Sequence, residues 1–285
     1  LASVTFSVFA MDVSQAIAIA EENFPEGPEA LGKAMAAVIR HLPLERPSGW
    51  CIPTTPPHIV INKNHPKVRQ RFTLAHELAH VILGMEIPEL VEPGDLYRSD
   101  NTEERNADDL AAKMLMPLKW LTAAQISIPL DSSEIKKLAS QARVSPISLA
   151  YRLANCQVEL GLPPTTVLQF KNDVLDTQYP TKNVTPSLAE HLLARTKESN
   201  SNTARVKLRS GRIAFGSTLK NERFYTAVFT QFLSDEQASK PSKSETIEHC
   251  RAYLLGPSKS LQQKLGGQLG AFKQRHDPNA VTLSG

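Results

Sequence analysis

Apolar residues near the start of the chain recur at helical spacing. Ala16, Ile17, Ile19 and Ala20 follow Asp12 and Ser14, either of which can cap a helix. A second run after Pro28 sets Leu31, Met35, Val38, Ile39 and Leu42 on one face, so the first forty residues read as helical. Pro43, Pro47, Gly49, Pro53, Pro56 and Pro57 then break any helix. The segment His58-Ile-Val-Ile-Asn62 is β-branched and bounded by turn residues, which predicts a strand. Asn64-His65-Pro66 predicts a turn. From 67 to 83, Phe72, Ala75, Ala79 and Ile82 repeat at three- and four-residue spacing, and Gly84 supplies a stop. Residues 85–101, with Pro88, Pro93 and Gly94, read as a polar loop. The next helix spans about 102–116, with Glu103 and Glu104 in its first turn, where the helix dipole favours carboxylates, and Pro117 at its end.

Residues 132–162 read as a compact helical group, two helices joined through Arg143-Val-Ser-Pro. Gly161 and Pro163-Pro164 close it and mark a boundary. Beyond it the pattern is mixed. Segments 167–170, 205–208, 225–232 and 252–255 read as strands, and 185–198 and 258–273 as helices. Residues 200–202, 234–244 and the tail from 277 read as loops. The division predicted is 1–128, 129–162 and 163–285.

Composition narrows the class. The chain has 285 residues, 41% hydrophobic and 21% charged, which is ordinary globular usage. It contains no apolar run long enough to cross a membrane. Residues 1–11 are mildly apolar but lack a basic flank and a small-residue cleavage pattern, so they do not read as a signal peptide, and the chain lacks an initiator Met. Cys51, Cys156 and Cys250 are too few and too scattered for a disulfide framework, which suits a reduced, cytoplasmic protein. The net charge of +3 hides an asymmetry: residues 1–163 carry 15 Lys and Arg against 19 Asp and Glu, and residues 164–285 carry 17 against 10.

The chemistry concentrates in His76-Glu77-Leu-Ala-His80, inside the helix predicted at 67–83. Residues four apart share a helical face, so the two imidazoles can ligate one ion from the same side, with Glu77 placed beside it as a general base. A catalytic site of this kind needs a third protein ligand. Glu104, at the start of the next helix, is the candidate, and Glu103 is the fallback. Asp108, one turn on from Glu104, can accept the free ring N–H of a ligand histidine. His65, Tyr97, Arg98 and Arg71 are close in sequence and are candidates to contact substrate or the oxyanion, although Arg71 reads better as part of a solvated helix face.

Arg71-Phe-Thr-Leu-Ala-His-Glu-Leu-Ala-His80, followed by Glu104-x-x-Ala107-Asp108-x-x-Ala111-Ala112-x-x-Leu115-Met116-Pro117, resembles the ImmA/IrrE family of bacterial zinc metallopeptidases. The resemblance covers about residues 25–162. It implies an α+β, zincin-like peptidase domain followed by a helix-turn-helix-like module. It also implies an enzyme that cleaves a helix-turn-helix repressor and so releases DNA-damage, stress or antiphage-defence genes. The family's usual glycine in the motif is Ala79 here, still small enough for close packing. Some members add a domain resembling a GAF sensor, and residues 163–285 have a suitable size for such an α/β domain. The ligand set favours Zn2+, with Mn2+ as the alternative. The strand at 58–62, read as an edge beside the motif helix, would pair with an extended substrate.

Other features carry weaker signals. The second helix of the 132–162 group offers Ser145, Ser148, Tyr151 and Arg152, a thin set for reading DNA. The basic half holds Arg205, Lys207, Arg209 and Arg212 among aromatic residues. These are candidates for contacts to nucleic acid, single-stranded DNA included, or to another anionic signal. Cys51 is a candidate thiolate ligand that would hold the metal site off, against an ordinary buried thiol. Two rival functions stand beside repressor cleavage: a DNA-binding regulator that keeps the fold as a scaffold, and a peptidase acting on an antitoxin.

Overall fold

A computed structural model describes residues 11–84, 102–180, 184–222, 225–243 and 245. The strand predicted at 252–255, the helix at 258–273 and Cys250 lie outside them. Helix α1 (Val13–Glu22) begins at Asp12, whose side chain accepts from Gln15 N while the Gln15 side chain bonds back to Asp12 N. Helix α2 (Gly27–Ala34) is shorter than its periodicity suggests. Ala36 turns the backbone to φ 52°, and Val38–Leu42 continue as strand β1 rather than as helix. The residues that continued the helical pattern include β-branched Val38 and Ile39. They suit an extended strand, and they find one to pair with, His58–Asn62, in parallel register.

Strand β2 (Gly49–Ile52) forms inside the proline-rich stretch, where no strand was predicted. It runs antiparallel to β3 (His58–Asn62), with Cys51 opposite Ile59. The sheet order is β1-β3-β2, so the predicted strand at 58–62 is central and both its edges are paired. Among the described residues, the unpaired edge beside the motif helix therefore belongs to β2. Asn62 closes the connection between β1 and β2 through its side-chain amide, which bonds Leu44 and Pro47.

Helix α3 (Lys67–Leu83) ends at Gly84, φ 64°, a left-handed position that glycine occupies without a Cβ penalty. Its middle, residues 73–80, is buried on every side. The sheet covers one face, while α1, α2 and α4 (Thr102–Leu115) cover the others. Helix α5 (Leu118–Ala123) follows Pro117. Helices α6 (Ser132–Ala142) and α7 (Pro146–Asn155) are capped by Asp131 and Ser145.

The remaining strands are β4 (Thr165–Lys171), β5 (Val174–Tyr179), β6 (Thr203–Lys207), β7 (Ile213–Glu222) and β8 (Tyr225–Leu233). They make an antiparallel sheet in the order β5-β4-β8-β7-β6. Neither β5 nor β7 was read from the sequence, and α9 (Asp235–Ser239) lies in a segment predicted as loop. One face of the sheet packs Leu168, Phe170, Val228 and Phe232 against α8 (Pro186–Glu198). The other face offers Val167, Leu219, Ala227 and Phe229 to the core that also holds Leu78, Leu115 and Leu149. Leu130 N and Ser132 N, at the start of α6, donate to the side chains of Gln231 and Ser217 on that face. Among the described residues, no helix is long and apolar enough to cross a membrane.

Candidate metal centre

The motif helix delivers its two imidazoles to one point. His76 Nε2 and His80 Nε2 are 2.9 Å apart, with the rings at 74° to each other. Helix α4 lies directly against this face because Ala75, Ala79, Ala107 and Ala111 are fully buried and small. Close packing brings Glu104 in: its Oε2 is 3.2 Å from His76 Nε2 and its Oε1 is 3.5 Å from His80 Nε2. Glu104 is buried, whereas Glu103 is exposed. One ligand atom from each of His76, His80 and Glu104 lies within 4.8 Å of the others. Asp108 Oδ1 accepts from His76 Nδ1 at 2.9 Å, which fixes that ring with Nε2 facing Glu104. His80 Nδ1 is buried without a hydrogen-bond partner among the described residues.

The donor set fits a divalent cation. Two imidazole lone pairs this close, beside a carboxylate, repel one another unless positive charge lies between them. Ligands around a tetrahedral ion with metal–nitrogen bonds of about 2.0–2.1 Å lie about 3.3 Å apart, close to the spacing found here. The same attraction appears in the protonation of the chain alone. Burial works against a charge on His76, but the carboxylates of Asp108 and Glu104 outweigh it and raise its pKa to about 10. Hydrogen bonds from His76 and His80 hold the Glu104 carboxyl well below the usual range. Burial pushes Asp108 and Glu77 the other way, upward, against the pull of the histidines.

Glu77 is buried beside β2. A Cβ on Gly49 would come within 3.4 Å of its Oε1, and within 2.5 Å of Thr73 Cγ2 and 2.6 Å of Val60 O. Only glycine lets the edge strand approach the helix this closely. Cys51, two residues on, lies beside Glu77. Burial, then the Glu77 charge, push its thiol up to about 12, and Cys51 stands outside the group formed by His76, His80 and Glu104. The close approach of Gly49 escaped sequence reasoning, which took it only as a helix breaker, and Cys51 was singled out there as a metal ligand rather than as a neighbour of Glu77. The signal available was the short apolar run Trp50-Cys-Ile between prolines.

The other candidates fall elsewhere. Tyr97 and Arg98 lie outside the described residues. His65 precedes the first turn of α3, so it stands roughly 14 Å or more from His76 along the axis. Arg71 is buried, not solvated: it bonds Glu29, the carbonyls of Ala142 and Arg143 at the end of α6, and Pro25 O. Of the thin set offered for reading DNA, Ser145 and Ser148 stay partly exposed while the two larger side chains turn inward: Arg152 is buried with its Nε on Met116 O, Tyr151 is 8% exposed, and α7 packs on β4. Arg205 is held by Glu245 and by the carbonyls of Ala238 and Lys240, above the Phe215 ring. Arg212 donates to Phe232 O; Lys207 and Arg209 are exposed.

An α+β core that places two histidines of one helix and a glutamate of the next around a single point, with a second glutamate alongside, defines a metallopeptidase-type domain. Residues 33–154 match the IrrE N-terminal-like domain family, peptidase M78, in line with the resemblance to the ImmA/IrrE family. The radiation response metalloprotease IrrE of Deinococcus deserti is 35% identical over 99 residues, 34% of this chain and 35% of the relative. The match thus spans about a third of that relative's length. A Mycobacterium tuberculosis transcriptional regulator shares the fold at 14% identity, with a TM-score of 0.53 over 81% of this chain and 82% of that one.

Proposed function

We propose that this chain is a cytoplasmic zinc-dependent endopeptidase that cleaves a helix-turn-helix transcriptional repressor and so releases the genes it silences. The observation that carries this reading is the convergence of His76, His80 and Glu104 within 4.8 Å, with Glu77 at its side. When bound there, Zn2+ supplies Lewis acidity to a scissile carbonyl and to water. The chain's own residues do the rest. His76, oriented by Asp108, and His80 and Glu104 hold the ion. Glu77, its carboxyl pushed up by burial, takes the proton of the attacking water and delivers it to the leaving amine. The outer edge of β2 pairs with an extended substrate segment, which suits a flexible linker between repressor domains.

In this reading residues 129–162 serve as a scaffold, and the sheet at 163–285, GAF-like in role, receives the activating signal. The inward turn of Tyr151 and Arg152 weighs against DNA reading by α7. The test is co-expression with the repressor encoded beside the chain's own gene. Metal-dependent cleavage by the native chain, lost in Glu77→Gln, is expected. Cleavage that survives Glu77→Gln would remove the mechanism, and no cleavage of that repressor by the metal-loaded native chain would remove the substrate.

A further inference from the structure

Away from the metal centre, a cavity of about 610 Å³ opens where the start of α7 meets the sheet of β4 to β8 and the first turn of α3. Its size suits a small organic molecule. The walls are unusual for a mere packing gap. Three tyrosine rings line it, from α7 (Tyr151), β5 (Tyr179) and β8 (Tyr225), the first two edge to face at 5.1 Å. Two carboxamides, Gln169 and Gln178, offer donors and acceptors in fixed positions: Gln169 is tied to the Tyr151 hydroxyl, and Gln178 Oε1 accepts from Val184 N. Two cations, Lys220 and Arg69, and one carboxylate, Asp176, face the same space. Lys220 stands 5.6 Å over the Tyr225 ring. Arg69 bonds Ser48 Oγ through one nitrogen, while its Nε is shielded from solvent without an acceptor among the described residues.

The backbone is shaped toward this cavity. The register of the five-stranded sheet shifts at two places, between Gln169 and Phe170 on β4 and between Thr218 and Lys220 on β7. Both shifts adjoin residues that line the cavity. A β-bulge re-aims the side chain beside it, and bulges are over-represented next to functional sites.

We propose that this cavity binds a planar aromatic anion, its ring between the tyrosines, its polar edge on Gln169 and Gln178, and its charge on Lys220 and Arg69. Stacking against tyrosine and a cation above the ring plane are sequence-tolerant ways to hold any flat π-system, and two cations against the single carboxylate of Asp176 leave a net positive lining that favours a negative group. Arg69 gives the site a connection to β2. It sits two turns before His76 on α3, and its bond to Ser48 ends where β2 begins at Gly49. A ligand that recruits Arg69 acts on the anchor of that edge strand.

Titration calorimetry on the full chain tests this with two probes that share the chemistry, adenosine 5′-monophosphate and 4-hydroxybenzoate, and with inorganic phosphate as the control. Saturable binding of one probe at up to about 5 mM is expected, and its identity tells a nucleotide from an aromatic carboxylate. Lys220→Met and Tyr225→Leu should each weaken it about tenfold, with thermal melting showing that the variants are folded. If one variant does not fold, the other carries the comparison. The proposal is overturned if neither probe binds, if phosphate alone binds as tightly, or if binding is unchanged in every folded variant. None of these readings depends on peptidase activity.

Discussion

At the residue scale the site is a balance of burial against charge. Glu77 is buried and raised, Glu104 is paired and lowered, so two carboxyls in one pocket are driven to opposite roles. Removing the base while keeping its shape should separate those roles. Glu77→Gln is expected to lower peptidase turnover by about 10²–10⁴-fold with metal content unchanged, as checked by metal analysis beside the cleavage assay. An equal loss of metal would instead make Glu77 part of the ligand set. Gly49 is a second residue with a sharp requirement. A methyl group there meets Thr73 Cγ2 at 2.5 Å and the Val60 carbonyl at 2.6 Å, and backbone cannot retreat easily. Gly49→Ala should cost about 1–3 kcal/mol in denaturant unfolding. A variant as stable as the native chain would show that β2 does not lie as close to α3 as described.

Elements are joined here by side chains that reach across sequence. Arg71 ties α3 to the end of α6 through Ala142 O and Arg143 O, to the loop before α2 through Pro25 O, and to α2 itself through Glu29. Arg71→Met keeps the aliphatic stem and strands buried carbonyls, so a loss of about 2–4 kcal/mol is expected on chemical denaturation. A loss under about 0.5 kcal/mol would mean these carbonyls are satisfied by water instead. The same element-scale logic explains what the chain's pattern does and does not reveal. Helix α3 is legible because its pattern and its stop are local: periodic apolar residues, then Gly84 in the left-handed region. Strand β1 is not, because Val38, Ile39 and Leu42 fit a helix as well as a strand until His58–Asn62 arrives beside them. Strand β2 is hidden by its prolines for the same reason. Its partner, not its composition, makes it a strand.

At the scale of the whole molecule, metal and charge link the parts to solution conditions. A bound ion stabilises only the folded chain, so a chelator should lower the melting temperature together with activity, and Zn2+ should restore both. Activity lost with no change in melting would place the ion elsewhere. The far end of the sheet carries a second linkage. Burial raises the Glu245 carboxyl, but the hydrogen bonds from Arg205 and from Ser242 N outweigh it and hold it below its ordinary value. Its folded pKa is depressed, so the stability it contributes is full above the unfolded value of about 4.3 and is lost as pH falls through the folded value. The stability gap between the native chain and Arg205→Met should therefore narrow from pH 7 to pH 3 in denaturant titrations. A gap that stays constant would assign Arg205's contribution to the carbonyls of Ala238 and Lys240 and to the Phe215 ring instead.

The sequence by itself determined the chemistry that depends on near neighbours. His76 and His80 lie one turn apart, with Glu77 next to the first, on a helix whose ends are written in its own residues, and Glu104 and Asp108 share a face by the same rule. Tertiary structure alone decided which distant groups meet. It set Asp108 on His76 across 32 positions, made β2 rather than β3 the unpaired edge beside Glu77 among the described residues, and buried Arg71. It also turned Tyr151 and Arg152 of α7 inward, toward the sheet and the Met116 carbonyl. A helix's period is fixed by its own backbone bonds, whereas the covering of a face or an edge depends on residues far along the chain. For that reason the candidate ligands His76, His80 and Glu104 could be singled out from a single sequence, and the aromatic cavity at the foot of α7 could not.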